Sequence, residues 1–421
     1  MKNYLIIGNS AAGTSAAEAI RKNDGQGKIT IITDEEYPVA YYRCLISYLL
    51  SGEISEDRLS YRGLDFYKEK NIELILNKKV IKVDPKKNRV SFLDNTKLEY
   101  DSLLIATGSS PAMPDIKGTN KRGVFGFRTI KDTKEILEIA PIAEGACVLG
   151  GGLIGIKAAY GLKKKGLEVK IIVKSNQILS QVVDKQAGDL IQEVLEENGI
   201  EILTGRDVTE IIGNGDAKAV KLDTGKVLAS SIVIVGKGVE PNIDLVKDTE
   251  IKTEYGILVG RNLATNIPNI FAAGDVCQAN DLIQGGAYIN ALWPNAIEQG
   301  KISGQNLSGA NLEYDGSVSM NAVDFFGLAI VSMGIKRSDK PGFEELSHLD
   351  REKSVYRKIT LKENRVVGMV SVGDVKNSGI FLRLMKERID ISDLEDRLLD
   401  ENFSYASIMD RVKEKDQMYL V

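Results

Sequence analysis

The sequence predicts an α/β protein built on two dinucleotide-binding βαβ units, followed by a smaller α+β domain. Three observations carry this expectation. Residues 4 to 32 read strand, glycine-rich turn, helix and strand; the same grammar returns at 146 to 173; and after residue 315 the pattern changes to isolated strand-like pieces and a charged helical tail. A chain of 421 residues also exceeds what one hydrophobic core usually organises, so two or three domains are expected.

The first unit runs from the apolar stretch Tyr4 to Ile7 through Gly8-Asn9-Ser10-Ala11-Ala12-Gly13 to an alanine-rich helix over Ser15 to Arg21 and a strand at Ile29 to Ile32. The turn is G-x-G-x-x-G with Ser10 in the middle position. In that fingerprint the first glycine makes the tight turn, the middle residue lets a pyrophosphate approach the backbone, and the last lets helix pack on strand. The helix N-terminus then offers partial positive charge to the phosphates. After the second strand, where an acid should hold a ribose hydroxyl, stand Asp34, Glu35 and Glu36.

The second unit satisfies the fingerprint fully: Gly150-Gly151-Gly152-Leu153-Ile154-Gly155 lies between a strand at Ala146 to Leu149 and a helix at Ile156 to Lys165. Its second strand, Val169 to Val173, is followed by Lys174 and not by an acid. A carboxylate there accepts the 2′-hydroxyl of NAD, whereas a cation accommodates the extra phosphate of NADP. Lys174 therefore points toward NADP, with a solvated surface lysine as the alternative. Each half closes with an apolar strand and a glycine turn, ending at Ala106-Thr107-Gly108 and at Gly236-Lys237-Gly238. Two dinucleotide sites in one chain most economically hold a flavin and a nicotinamide, between which hydride passes.

Composition excludes other classes. Lys plus Arg number 55 against 59 Asp plus Glu, a formal charge of -4, which gives no broad basic field for nucleic acid. Cys44, Cys147 and Cys277 lie too far apart for a C-x-x-C pair, and His348 is the lone histidine, so no local metal site is expected. Met1 leads straight into Tyr4 to Ile7 without a basic leader, and the apolar runs fall short of the ~18 residues a membrane span needs. A soluble, cytoplasmic protein that binds neither nucleic acid nor membrane is the expectation.

Further motifs match a family. Thr265-Asn266-Ile267-Pro268-Asn269-Ile270-Phe271-Ala272-Ala273-Gly274-Asp275 resembles the second FAD motif of the pyridine-nucleotide-disulfide oxidoreductase superfamily. Leu104 to Gly108 and Phe127 to Asp132 resemble its connecting motifs, and the match spans residues 1 to 310. The resemblance implies two Rossmann-like domains, the nicotinamide domain (116–240) inserted into the FAD domain (1–115 and 241–315), and a C-terminal interface domain (316–421). It implies that Asp275, after Gly274, holds the ribityl hydroxyls of FAD, that Val80 meets the adenine through its backbone, and that Arg128 lies near the flavin. Trp293-Pro294 reads as a helix start, since proline prefers the first turn, and a helix N-terminus stabilises the negative charge of a reduced flavin.

Within the superfamily, Tyr42-Arg43-Cys44-Leu45-Ile46-Ser47 resembles a stretch of reductases that feed rubredoxin, ferredoxins or nitrite-reductase modules, with Cys44 where the pattern has proline. The same position matches the redox cysteine of the coenzyme A-disulfide reductase and NADH oxidase or peroxidase branch. Arg43 and a helix start beside it are expected to favour thiolate. The histidine of the peroxidase branch is absent, with Ala11 near its place, and Lys157 stands where the family usually has glutamate. The stretch Arg365 to Asp374, followed by Ile380 to Glu387, resembles the C-terminal domain of nitrite-reductase-like and carbon-monoxide-dehydrogenase-associated flavoproteins.

The expectation is an FAD-dependent NAD(P)H oxidoreductase with NADP or NAD as second cofactor, serving an iron-sulfur or rubredoxin-like partner, with Arg43 and Cys44 as candidate catalytic residues and a homodimer left open. The alternatives are a single-cysteine disulfide or polysulfide reductase or NADH oxidase using Cys44, and a flavin-binding assembly subunit without turnover.

Overall fold

Strand Asn3–Ile7 buries four of its five residues, Tyr4 to Ile7, the signature of a parallel strand covered on both faces. In the computed structural model, which describes residues 1–336 and 341–412, it is the centre of a five-stranded parallel sheet. The order is Ile270–Ala272, Ser102–Ile105, Asn3–Ile7, Lys28–Ile32, Ile72–Ile75. A second parallel sheet repeats the design in the order Val124–Phe125, Ile232–Val235, Ala146–Leu149, Val169–Val173, Ile200–Thr204. The two βαβ units thus stand at corresponding places in two sheets. A two-stranded link, Ser109–Pro111 against Val239–Pro241, joins the crossings between them.

Close packing fixes the first helix, Ala11–Asn23. Its small residues face helix Trp293–Leu307, where a Cβ on Gly300 would sit 2.2 Å from the carbonyl oxygen of Ala12, and one on Gly304 would sit 2.4 Å from that of Ala16. Only glycine permits this approach, which holds the start of helix Trp293–Leu307 beside the first glycine turn. Residues Tyr41 to Leu59 share a core with the second sheet, with Leu50 seated against Gly161.

The C-terminal region forms one antiparallel sheet in the order Met320–Phe325, Leu328–Gly334, Arg365–Val372, Val355–Lys362, Phe343–Asp350, with helix Ser378–Glu387 against it. The sequence announces two of these five strands. Met320–Phe325 and Phe343–Asp350 are partly exposed, whereas Leu328–Gly334 alternates buried and half-buried residues; Phe343–Asp350 carries His348 on the edge of the sheet. A network around buried Lys358 ties this sheet to the second: Lys358 Nζ lies 3.0 Å from both Asp184 and the exposed Glu345, and the Tyr356 hydroxyl donates to Asp184 at 2.7 Å. No described helix is long and apolar enough to cross a membrane.

Candidate functional site

The first glycine turn is built by contact with the neighbouring crossing. Gly8 has φ +119°, and a Cβ there would lie 2.1 Å from the carbonyl oxygen of Ala106, so strand ends 7 and 105 close on each other only with glycine at position 8. The helix that follows begins at Ala11, with Ala12 and Gly13 in its first turn and Ser10 as N-cap. Ser10 does not cap with its side chain; its hydroxyl accepts from Arg43 Nε at 3.2 Å.

The second turn is similar. Gly152 precedes helix Leu153–Lys164 without a capping side chain, Ile154 and Gly155 lie in its first turn, and a Cβ on Gly150 would sit 2.4 Å from the Gly236 carbonyl oxygen. By contrast, Thr129 and Asp184 cap their helices with side-chain oxygens. The helices at Ala11, Leu153 and Trp293 have neither a side-chain cap nor an acid in the first turn. Open helix N-termini at both glycine turns fit a pyrophosphate each.

Around the first turn the structure gathers residues from distant segments. Arg128 Nη2 lies 2.5 Å from Asp275 Oδ2, Arg128 Nε donates to the Ser109 carbonyl at 3.2 Å, and Ser109 Oγ donates to Asp275 at 3.1 Å. Gly274 N–H donates to buried Gln299 at 2.8 Å, tying the Asp275 turn to helix Trp293–Leu307. Thr107 and Gly108 are held by Asn242: its side chain donates to the Thr107 carbonyl at 2.9 Å, and its N–H to the Gly108 carbonyl at 3.0 Å. Trp293 packs tilted against Tyr42 and edge-on to Tyr61, at centroid distances of 5.3 and 5.2 Å, with Pro294 in the helix's first turn.

The acidic turn divides its labour. Glu35 pairs with Arg43 and accepts from the Tyr41 hydroxyl at 2.7 Å, while Asp34 is exposed. Val80 begins strand Val80–Asp84, and the chain leading to it runs beside this turn, with Lys78 N–H on the Thr33 carbonyl at 2.9 Å.

The environment of Cys44 corrects one expectation. Its neighbours were expected to favour thiolate; the expected helix start is present, because the 3₁₀ turn Arg43–Leu45 runs straight into helix Ile46–Ser51, but Arg43 turns to Glu35, Tyr41 and Ser10. Although Cys44 opens to solvent on one side, the protein packed around it pushes the thiol above its ordinary value, and the nearby Lys157 ammonium offsets this only in part. Burial lowers the pKa of Lys157 itself. Cys147 and Cys277 are buried packing residues, as expected; burial pushes the Cys147 thiol up to about 11.

At the second site Lys174 follows its strand as expected, but it has company. Its Nζ is 3.8 Å from Asp207, which also binds Lys237 Nζ at 2.6 Å, next to Gly238. Sequence reading missed Asp207, Asn242, Ser109 and Gln299. Only Asn242 had a usable signal, the Pro241-Asn242 pair just past the closing glycine turn.

Fold and site together define an oxidoreductase with two dinucleotide-binding sheets and a separate C-terminal sheet. The chain belongs to the pyridine nucleotide-disulphide oxidoreductase family, whose model matches residues 2–300; the model of the rubredoxin NAD+ reductase C-terminal domain matches residues 320–389. Family membership implies FAD and NAD(P)H as cofactors. The chain is similar to an NADH oxidase of Methanocaldococcus jannaschii, 35% identical over 74% of this chain and 71% of that one. It is 30% identical to the NADH-rubredoxin oxidoreductase of Clostridium acetobutylicum over 88% of this chain and 91% of that one. The crystal structure of the Clostridium enzyme superposes with TM-score 0.78, covering 97% of this chain and 99% of that one at 26% identity. A NAD-dependent persulfide reductase from A. fulgidus superposes with TM-score 0.84 at 26% identity, over 91% of this chain and 76% of that one. Of two Bacillus subtilis relatives, a nitrate reductase electron transfer subunit and a nitrite reductase, the chain spans only 52% and 48% of the length.

Proposed function

We propose that this chain takes hydride from NAD(P)H onto FAD and passes the electrons to a small iron protein, of rubredoxin, ferredoxin or iron-sulfur subunit type. The observation that carries this reading is the joining of two uncapped glycine-turn helices to a C-terminal sheet of the rubredoxin-reductase kind. When bound, FAD supplies the conversion of a two-electron donor into single-electron steps.

The residues divide the remaining work. The Gly8 to Gly13 turn would hold the FAD pyrophosphate through its N–H groups, with Asp34 at the adenosine ribose, Val80 at the adenine and Ala106 to Gly108 lining the turn. Asp275 would accept from the ribityl hydroxyls, held in place by Arg128 and Ser109. Arg43 would place a cation at the flavin's edge, and the helix start at Trp293 and Pro294 would favour negative charge there. Gly150, Gly152, Leu153, Ile154 and Gly155 would hold the nicotinamide dinucleotide, closed by Gly238, with Lys174 favouring NADP. The FAD part would comprise 1–115 and 241–315, the nicotinamide part 116–240, and 316–421 would meet the partner.

A second reading, a single-cysteine sulfur reductase, draws on Cys44 being exposed beside Lys157 and on the likeness to the persulfide reductase. The raised thiol weighs against it, because thiolate is the reactive form. Rapid mixing of the flavin-loaded protein with NADPH or NADH, then with rubredoxin or ferredoxin, tests the first reading. Flavin bleaching followed by acceptor reduction is expected; bleaching with no transfer to either acceptor would contradict it.

A further inference from the structure

The carboxyl edge of the second sheet carries a three-residue ion cluster, Lys174, Asp207 and Lys237, of which the cofactor reading uses only Lys174. Lys174 is the first residue after strand Val169–Val173. The neighbouring strand Ile200–Thr204 ends alongside it: Gly205 N–H donates to the Ser175 carbonyl and Arg206 N–H to the Val173 carbonyl, both at 3.0 Å. This side-by-side exit places Asp207 next to Lys174. From strand Ile232–Val235, Lys237 reaches the same carboxylate.

The three groups are not equivalent. Lys237 Nζ and the Val208 N–H hold Asp207 Oδ1 at 2.6 and 2.9 Å, whereas Lys174 Nζ stands 3.8 Å from Oδ2. The Lys174 side chain is 84% exposed against 28% for Asp207, so a ligand reaches the lysine while the carboxylate stays fixed beneath it. Burial opposes ionisation of Asp207, but the Lys237 hydrogen bond and charge outweigh it and keep the carboxyl ionised. A phosphate brought to Lys174 therefore meets a negative neighbour.

Resting on the proposed nicotinamide site, we propose that Asp207 determines cofactor selectivity: its carboxylate competes with the 2′-phosphate of NADP for Lys174 and accepts the 2′-hydroxyl of NAD. A lysine alone at this strand end would select the phosphate. With Asp207 beside it the site takes both cofactors, and Lys237 holds the carboxylate in place.

Calorimetric titration of the flavin-loaded protein with ADP-ribose and with 2′-phospho-ADP-ribose tests this without turnover. Asp207→Asn keeps an acceptor for the Val208 N–H and removes the charge. It should tighten 2′-phospho-ADP-ribose by about 2- to 5-fold, the range for a partly exposed charge pair, without tightening ADP-ribose. Should that variant fail to bind ADP-ribose at all, Asp207→Ser provides the same test. An unchanged affinity ratio in the neutral variant, with Lys174→Met weakening only the phosphorylated ligand, would overturn the role of Asp207 and leave the Lys174 site standing. If Lys174→Met changes neither ligand, the placement of the ribose beside Lys174 fails, and the inference falls with it.

Discussion

The Arg128 guanidinium and the Asp275 carboxylate meet at 2.5 Å although 147 positions separate them in the chain. Arg128 lies between strand Val124–Phe125 of the second sheet and helix Ile130–Ile139, and Asp275 on the turn after strand Ile270–Ala272 of the first. The pair therefore ties the end of the first sheet to the segment that follows the edge strand of the second. Asp275→Leu should remove the acceptor for the ribityl hydroxyls and leave Arg128 without its charge partner. The purified variant should be colourless, with far-ultraviolet circular dichroism unchanged. Full flavin content in it would exclude Asp275 from the site.

Cys44 provides a pH test. Its thiol is raised above the ordinary value, so the neutral form persists at pH values where a free cysteine has begun to ionise. Alkylation of the holoprotein by iodoacetamide should be slow near neutrality and rise with pH, with a midpoint above that of a model thiol. Lys157→Met removes the cation that favours thiolate, so the midpoint should move higher still. A midpoint below that of a free cysteine would restore the expectation of an activated thiolate.

The buried Lys358 predicts how the C-terminal sheet is held. It is 4% exposed and joins Asp184 and Glu345, and Asp184 also caps helix Lys185–Glu197. Lys358→Met keeps the packing but leaves Asp184 with only the Tyr356 hydroxyl and the Ala187 N–H. Thermal unfolding should show a loss of about 1–3 kcal/mol, from a charge that loses its partner in a poorly solvated place. Limited proteolysis of the variant should then cut first in the C-terminal sheet, and an unfolding curve identical to that of the wild type would contradict this role of Lys358.

What could be read from the sequence was local. The strands Asn3–Ile7 and Ala146–Leu149 are contiguous apolar runs ending in a glycine that no other residue could replace, so sheet, turn and helix are all announced within one short window. Asp275 was legible for the same reason, sitting at the end of such a strand. The Phe343–Asp350 strand was not legible: Glu344, Glu345, Ser347 and His348 are exposed on both faces of this edge strand, so its sequence carries no two-residue period. Asp207 beneath Lys174, and Lys157 beside Cys44, are meetings of separate segments whose local sequence carries no trace of the partner. The thiolate expectation failed for this reason. Arg43 adjoins Cys44 in sequence, but its guanidinium is directed by Glu35 and Tyr41.

On the proposed function the chain stores one electron pair, on the flavin, and passes the electrons to an iron protein without using Cys44. Anaerobic titration of the holoprotein with NADPH, followed by addition of oxidised rubredoxin or ferredoxin, tests it most directly when the wild type and Cys44→Ser are compared. Complete bleaching at one equivalent per chain is expected in both proteins, with acceptor reduction at the same rate. Uptake of a second equivalent by the wild type, with acceptor reduction lost in Cys44→Ser while bleaching is intact, would contradict it and place the electrons on the thiol.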